Sequence, residues 1–138
     1  MFSIGELSRR ANVKVPTIRY YEDMGLLAAP ERTSGNQRRY DASGLERLIF
    51  IKHARDLGFS IDAISSLIEL HGHPDRSCAE ATEIALAQLA DVKSKIKRLK
   101  ALERELTRIS KSCAGDTVSG DCHVLASLAD HKHCETEH

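Results

Sequence analysis

The sequence predicts a mainly helical protein, in which a winged helix-turn-helix domain is followed by one long helix and a short C-terminal loop. Apolar residues recur at helical spacing through most of the chain, and aromatic residues make up only 4% of it, with no tryptophan. A basic segment with turn-forming residues follows the second short helix, where a wing would lie. The 138 residues allow either one ordinary domain or a small domain with a long helical extension.

Two short helices are predicted at the start of the chain. Ser3 can cap the first helix together with Glu6, three positions later. A turn at residues 12–13 ends that helix, and Pro16 lies in the first turn of the second, where a missing N–H costs nothing. The second helix should end near Gly25. Two short helices joined by a few residues form a helix-turn-helix candidate.

A hairpin and two further helices are predicted next. Residues 30–40 read PERTSGNQRRY, in which the Ser-Gly-Asn centre is typical of a turn and the flanks are basic. Helical periodicity returns at Asp41 and stops at Gly58. Ser60 is placed to cap a fourth helix, and residues 71–75 interrupt the chain before the long helix.

One continuous helix is predicted from about Ala79 to Lys111, because this segment contains no Gly or Pro. Its apolar positions, three or four residues apart, are Leu89, Val92, Ile96, Leu99, Leu102, Leu106 and Ile109. Such a helix is roughly 50 Å long, so Cys78 cannot reach Cys113 of its own chain. If two helices pair as an antiparallel coiled coil, Cys78 of one chain lies beside Cys113 and Cys122 of the other. The spacing then predicts a thiolate cluster shared between the subunits of a homodimer.

The surroundings of the cysteines favour metal binding. Cys113 and Cys122 flank AGDTVSGD, a polar stretch that offers little apolar surface for a buried thiol. Charged residues interrupt the apolar positions near Met1, so no export signal is expected and the predicted location is cytoplasmic. In a reducing compartment clustered cysteines favour metal or redox chemistry over disulfides. Auxiliary metal ligands are available at His123, His131, His133, Cys134 and His138.

Two other classes of function are open at this point. A DNA-binding redox sensor would form a disulfide between Cys113 and Cys122 on oxidation. An enzyme or thiol redox protein would use the same cysteines. However, the sequence contains no C-x-x-C motif and no pairing of Asp or Glu with His that would suit catalysis. We therefore expect no enzymatic activity. No apolar run approaches the roughly 20 residues that span a bilayer, so no membrane partner is expected.

The charge distribution indicates a polyanionic partner for the N-terminal half. Residues 1–55 contain ten Lys and Arg against six Asp and Glu, whereas residues 56–138 contain ten against fourteen. The second helix carries Thr17, Arg19 and Tyr20, and the hairpin that follows is rich in arginine. Arginine pairs with phosphate oxygens and with guanine edges, so this surface suits duplex DNA.

Three strings of the sequence form a specific pattern; they are IGELSRRANVKVPTIRYYEDMGLL, SGNQRRY and LIFIKHARDLGFSIDAI. Together they closely resemble the MerR family of transcription regulators. The resemblance implies a winged-helix domain, a long antiparallel dimerisation helix and an effector site at its C-terminal end. It also implies that the dimer binds a palindromic operator in an overlong promoter spacer, and distorts this DNA so that RNA polymerase engages both promoter elements. By position, the implied DNA contacts are Thr17, Arg19, Tyr20, Arg32, Gln37, Arg38 and Tyr40.

Within the family, the resemblance implies a metal effector. Metal-sensing members use two cysteines after the long helix and the residue at the start of that helix in the other subunit, here Cys113, Cys122 and Cys78. Members that sense monovalent copper or gold have Ser at the position of Cys78. A third thiolate suits a divalent ion such as Cd²⁺, Pb²⁺, Hg²⁺ or Zn²⁺. Zinc-responsive members have an additional Cys where this chain has Ala114, so Cd²⁺ or Pb²⁺ is favoured.

Gln37 departs from the metal-sensing pattern, in which Tyr is common at this position of the wing. The string SGNQRRY is more similar to the wing of a redox-sensing branch, which holds an iron–sulfur cluster on a compact cysteine run. This chain has no such run after Cys113. The wing therefore predicts a difference in DNA contact and not a cluster.

Four segments are predicted. Residues 1–72 form the winged-helix DNA-binding domain with its connecting helices, and residues 73–112 form the dimerisation helix. Residues 113–129 form the metal-binding loop and a short helix, and residues 130–138 form a His-rich tail.

Overall fold

The computed structural model describes residues 1–28, 31–32, 35, 38–111, 118 and 122–129, with the backbone alone at 31, 32 and 38. Two compact units are present, Met1–Ala85 and Leu86–His138. The elements follow in the order α1 (Ile4–Ala11), α2 (Val15–Asp23), β1 (Glu31–Arg32), β2 (Arg38–Arg39), α3 (Ala42–Asp56), α4 (Ile61–His71), α5 (Ala79–Lys111) and α6 (His123–Ala129). The described residues are mainly helical, and the predicted fold class of helix-turn-helix, wing and long helix is confirmed.

The turn between α1 and α2 is held by local hydrogen bonds. Ser3 is the N-cap of α1, and its Oγ accepts a hydrogen bond from the Glu6 amide at 3.2 Å, as the capping pattern predicts. Asn12 adopts a left-handed conformation with φ of 56°, which Asn tolerates better than most residues. Ser8 Oγ donates to the carbonyl of Val13 at 2.6 Å. The short connection therefore fixes the angle at which α2 leaves α1.

The core of the first unit receives an aliphatic side chain from each of the helices α1 to α4. The fully buried side chains are Leu7 on α1, Ile18 on α2, Leu48 and Ile51 on α3, and Ile64 on α4. Truncating any of them to Ala would cost about 2–5 kcal/mol, since each fills space between helices. This shared core holds α2 in place against α1 and α3.

The wing is joined to both ends of the helix-turn-helix. The strands pair antiparallel, with Glu31 opposite Arg39 and Arg32 opposite Arg38, which confirms the predicted hairpin. Tyr40 then pairs with Phe2 through two backbone hydrogen bonds of 2.6 and 2.8 Å.

Tyr40 also connects the wing to α2. Its side chain is only 3% exposed, and its hydroxyl donates a hydrogen bond to the carboxylate of Glu22. The end of the wing is therefore held by both the N-terminus and α2.

The third and fourth helices begin at side-chain caps. Asp41 accepts from the Gly44 amide at 2.9 Å, and this bond, with one from Ser43, lowers the pKa of Asp41 below its usual value. The stabilising effect of the Asp41 carboxylate is thus present at neutral pH and is lost as pH falls through the lowered pKa. Gly58 has φ of 87°, and Ser60 Oγ accepts from the Ala63 amide at 3.1 Å. The predicted stop and cap are both confirmed.

The long helix α5 runs without interruption for 33 residues. Many of its apolar side chains are exposed in the single chain, at 58% for Leu86, 60% for Leu99 and 64% for Leu106. The short helix predicted after Cys122 is present as α6. Among the described residues, no helix is both long enough and apolar enough to cross a membrane.

The link between Tyr40 and α2 gives a stability prediction. Tyr40→Phe should lower the free energy of unfolding by about 1.5–3 kcal/mol, because the Glu22 carboxylate loses a charge-assisted hydrogen bond. Urea unfolding at one fixed protein concentration measures the change. Tyr20→Phe is the matched control, since Tyr20 is 47% exposed. Equal stability of the two variants would contradict a contribution from the Tyr40 hydroxyl.

Candidate nucleic-acid interface and metal centre

Helix α2 presents two of the predicted contact residues outward. Arg19 is exposed, Tyr20 is 47% exposed and Thr17 is half-buried. On the other side of the helix, Ile18 and Tyr21 are buried in the core. The outward side chains therefore stand on a helix whose position is fixed by packing.

A basic depression of about 180 Å³ adjoins α2. It is lined by Asn12, Val13, Lys14, Thr17, Tyr21, Lys52, Arg55 and Asp56. Within it, Lys52 forms an ion pair of 3.2 Å with Asp56, and Arg55 donates to the carbonyl of Phe59 at 2.8 Å. Three cations against one carboxylate give this surface a positive character that suits phosphate.

The contacts predicted from the sequence did not include Lys14, Lys52 or Arg55. Lys14 lies in the turn before α2, whereas the other two lie on α3, and the packing of the helices brings them to one depression. The excess of basic residues in the N-terminal half was the available signal, but it does not identify which of them share a surface.

The wing residues are only partly placed. The backbones of Arg32 and Arg38 lie opposite each other in the hairpin, while their side chains and all of Gln37 lie outside the described residues. Tyr40 is buried and bonded to Glu22, so its ring is not exposed to a partner in this structure. A DNA contact by Tyr40 stays a prediction, and its described role is to hold the wing.

Cys78 immediately precedes α5. Its thiol is free and the residue is exposed, and its carbonyl accepts from the Thr82 amide at 3.0 Å, the first bond of the helix. Ser77 Oγ accepts from the Ala79 amide at 3.2 Å and so satisfies another amide of the first turn. Cys78 is therefore at the positive end of a long helix dipole, where an anionic ligand atom is favoured.

Cys122 immediately precedes α6. It is a free, half-buried cysteine, and its carbonyl accepts from the Ala126 amide at 3.1 Å. The next residue, His123, is half-buried, and its Nε2 lies 3.5 Å from Nη1 of Arg108 on α5. Arg108 also forms an ion pair with Glu105, which is only 5% exposed.

The remaining predicted ligands lie outside the described residues; they are Cys113, His131, His133, Cys134 and His138. Within the part of the chain that the structure describes, no three His, Cys, Asp or Glu side chains gather into a metal site. The two described cysteines nevertheless have the chemistry that a soft metal needs, because both are free thiols and sulfur is the preferred donor of such ions.

The helix-turn-helix, its wing and the long helix that follows have the architecture of a transcription regulator. A family model described as MerR HTH family regulatory protein matches residues 2–70, and one described as MerR, DNA binding matches residues 45–109.

Relatives match over almost the whole chain. The HTH-type transcriptional regulator ZntR of Escherichia coli K12 is 38% identical over 130 residues, which cover 93% of this chain and 92% of the relative. The mercuric resistance operon regulatory protein of Bacillus cereus is 33% identical, with 92% and 96% covered.

A solved structure matches at a TM-score of 0.79 and 41% identity, covering 93% of this chain and 99% of the other. It is the transcription regulator PbrR691 from Ralstonia metallidurans CH34 in complex with lead(II). The chain belongs to the MerR family of helix-turn-helix regulatory proteins, as the sequence predicted. The names of these relatives confirm the predicted resemblance to its metal-responsive branch.

Proposed function

We propose that this protein is a metal-responsive transcription regulator. It binds a palindromic promoter operator as a homodimer, and it activates transcription by distorting this DNA when a divalent soft metal binds. The observation that carries the proposal is the pair of free thiols, Cys78 directly before α5 and Cys122 directly before α6, in a chain similar over nearly its full length to a lead-bound regulator. The protein acts through binding and has no catalytic role.

Homodimer formation is supported by the exposed apolar side chains of α5. Leu86, Leu99 and Leu106 are each more than half exposed in one chain, and burying a leucine contributes about 1.5–3 kcal/mol. An antiparallel second copy of α5 covers these residues with its own.

The length of α5 supports the antiparallel arrangement. A helix of 33 residues is about 50 Å long at 1.5 Å per residue. A second chain running the opposite way brings its Cys113 and Cys122 to the Cys78 of the first. Each metal ion is then held by both subunits, and a dimer has two equivalent sites.

DNA binding is assigned to α2 and the wing. An α-helix fits the major groove, where Arg19 can pair with a guanine edge or a phosphate, and Tyr20 can contact the backbone. The basic depression formed by Lys14, Lys52 and Arg55 extends this surface toward the phosphates. RNA polymerase is a partner because it engages the same promoter DNA once the regulator has distorted it. The protein acts in the cytoplasm, where that DNA lies.

The effector is proposed to be Cd²⁺ or Pb²⁺, with Zn²⁺ and Hg²⁺ as further candidates. Three thiolates carry about three negative charges, which a divalent ion offsets better than a monovalent one. The lead(II) complex of a regulator 41% identical to this chain supports lead within this set. The tail residues His131, His133, Cys134 and His138 are proposed to add at most an auxiliary site.

The DNA-binding assignment predicts a loss of affinity in one variant. Arg19→Ala should weaken operator binding by about 1–3 kcal/mol per subunit, because each subunit would no longer pair this guanidinium with the DNA. Binding should also decrease steeply with salt. Electrophoretic mobility shifts at several salt concentrations measure both effects. Arg104→Ala, which removes an exposed arginine from α5, is the matched control. Unaltered operator affinity of dimeric Arg19→Ala would refute the assignment of α2.

The metal assignment predicts that Cys78→Ser loses the response to divalent ions. Affinity for Cd²⁺ and Pb²⁺ should decrease by more than about tenfold. Removing a residue that only hydrogen-bonds to a metal ligand already costs about that much, and Cys78 is proposed as a direct ligand. The two remaining thiolates should still bind Cu⁺. In vitro transcription from the operator promoter, with buffered metals and without oxygen, measures the response.

The control for this test is Cys134→Ser, which removes a cysteine outside the three-thiolate set. It should respond to Cd²⁺ and Pb²⁺ like the unaltered protein. If transcription with the unaltered protein responds to an added oxidant but to no metal in this assay, the disulfide-forming redox sensor is the correct function.

A further inference from the structure

Arg108 occupies a defined position between two side chains near Cys122. Glu105, one turn earlier on α5, is 5% exposed and forms an ion pair with Arg108. In the other direction, Arg108 Nη1 lies 3.5 Å from Nε2 of His123, the residue that follows Cys122. His123 itself is half-buried.

We propose that Arg108 determines the metal specificity of the site by occupying Nε2 of His123 and so keeping this nitrogen from becoming a fourth metal ligand. The proposal rests on the function proposed above. With His123 held by Arg108, the metal site offers sulfur atoms alone. Such a site disfavours Zn²⁺ relative to larger soft ions that accept three sulfur ligands.

The chemistry of the two side chains supports this role. Neutral imidazole has one unprotonated nitrogen, and a nitrogen that accepts a hydrogen bond from guanidinium does not have its lone pair available for a metal. The guanidinium stays protonated at any physiological pH, so the contact does not reverse by deprotonation. Its positive charge also opposes the approach of a dication to the same nitrogen.

Glu105 makes the position of Arg108 costly to change. If Arg108 turned away to release His123, the carboxylate of Glu105, which is 5% exposed, would lose its ion pair with Arg108, and breaking an ion pair at a buried carboxylate lowers stability. The ion pair thus works against a rearrangement in which His123 swings toward a metal bound at Cys122.

The consequence is largest for zinc. Zn²⁺ in protein sites is almost always four-coordinate, so with three thiolates it requires a fourth ligand from a side chain or water. With Nε2 of His123 occupied, water is left for that position. Removing Arg108 should therefore raise the affinity for Zn²⁺ and leave the affinity for Pb²⁺ nearly constant.

The test compares Glu105→Gln/Arg108→Met with Glu105→Gln alone, so that no variant leaves a buried carboxylate without its arginine. Competition with a chromophoric chelator gives the Zn²⁺ and Pb²⁺ affinities, and X-ray absorption of the zinc-loaded protein detects imidazole scattering. We expect the ratio of Zn²⁺ to Pb²⁺ affinity to rise about tenfold in the double variant, with imidazole scattering appearing. Adding His123→Ala to the double variant should restore the original affinity ratio and remove the imidazole scattering. In the unaltered protein, His123→Ala should change neither the affinity ratio nor the scattering.

Three results would overturn the inference. An unchanged affinity ratio in the double variant, with Pb²⁺ binding intact as proof of a folded site, would show that Arg108 does not control His123. Imidazole scattering in the zinc-loaded unaltered protein that is lost in its His123→Ala variant would show that His123 is already a ligand. If the unaltered protein binds neither metal through its thiolates, the proposed function itself fails and this inference fails with it.

Discussion

The unbroken 33 residues of α5 are the constraint on which the proposed dimer and metal site both depend. A helix of this length cannot fold back on itself, so it separates Cys78 from the cysteines that follow it and leaves leucines such as Leu99 exposed in a single chain. A second copy of the chain would account for both features. In the proposed dimer, one antiparallel partner would cover the apolar residues and complete the thiolate set at the same time, so that dimer formation and metal binding would depend on the same arrangement.

The N-terminal unit has a different role. Its packed core holds a few polar side chains at fixed positions on the surface. Helix α2 contributes Ile18 to the core and directs Arg19 outward, and Tyr40 connects the wing to Glu22 on the same helix. This hydrogen bond, together with the backbone pairing of Tyr40 and Phe2, ties the end of the wing to the helix-turn-helix.

The sequence was sufficient for the features that depend on local chemistry. The caps at Ser3 and Ser60, the stop at Gly58 and the continuity of α5 each follow from neighbouring residues and are present in the structure. Contacts between distant residues could not be foreseen: nothing in the sequence pairs Tyr40 with Glu22, or brings Arg108 to His123. At the candidate site the cysteines were identified by residue type and spacing, whereas the role of His123 depends on tertiary packing that spacing does not encode.

The sharing of each metal site between two subunits is tested most directly with mixed dimers. Cys78→Ser and Cys113→Ser homodimers should both lack a complete three-thiolate site. A heterodimer purified through two different affinity tags should regain one Cd²⁺ site, seen as thiolate-to-metal charge-transfer absorption, because one end unites wild-type Cys78 with wild-type Cys113 and Cys122. If the correctly formed heterodimer shows no more absorption than its parents, or if the unaltered protein is monomeric, the shared antiparallel site is wrong.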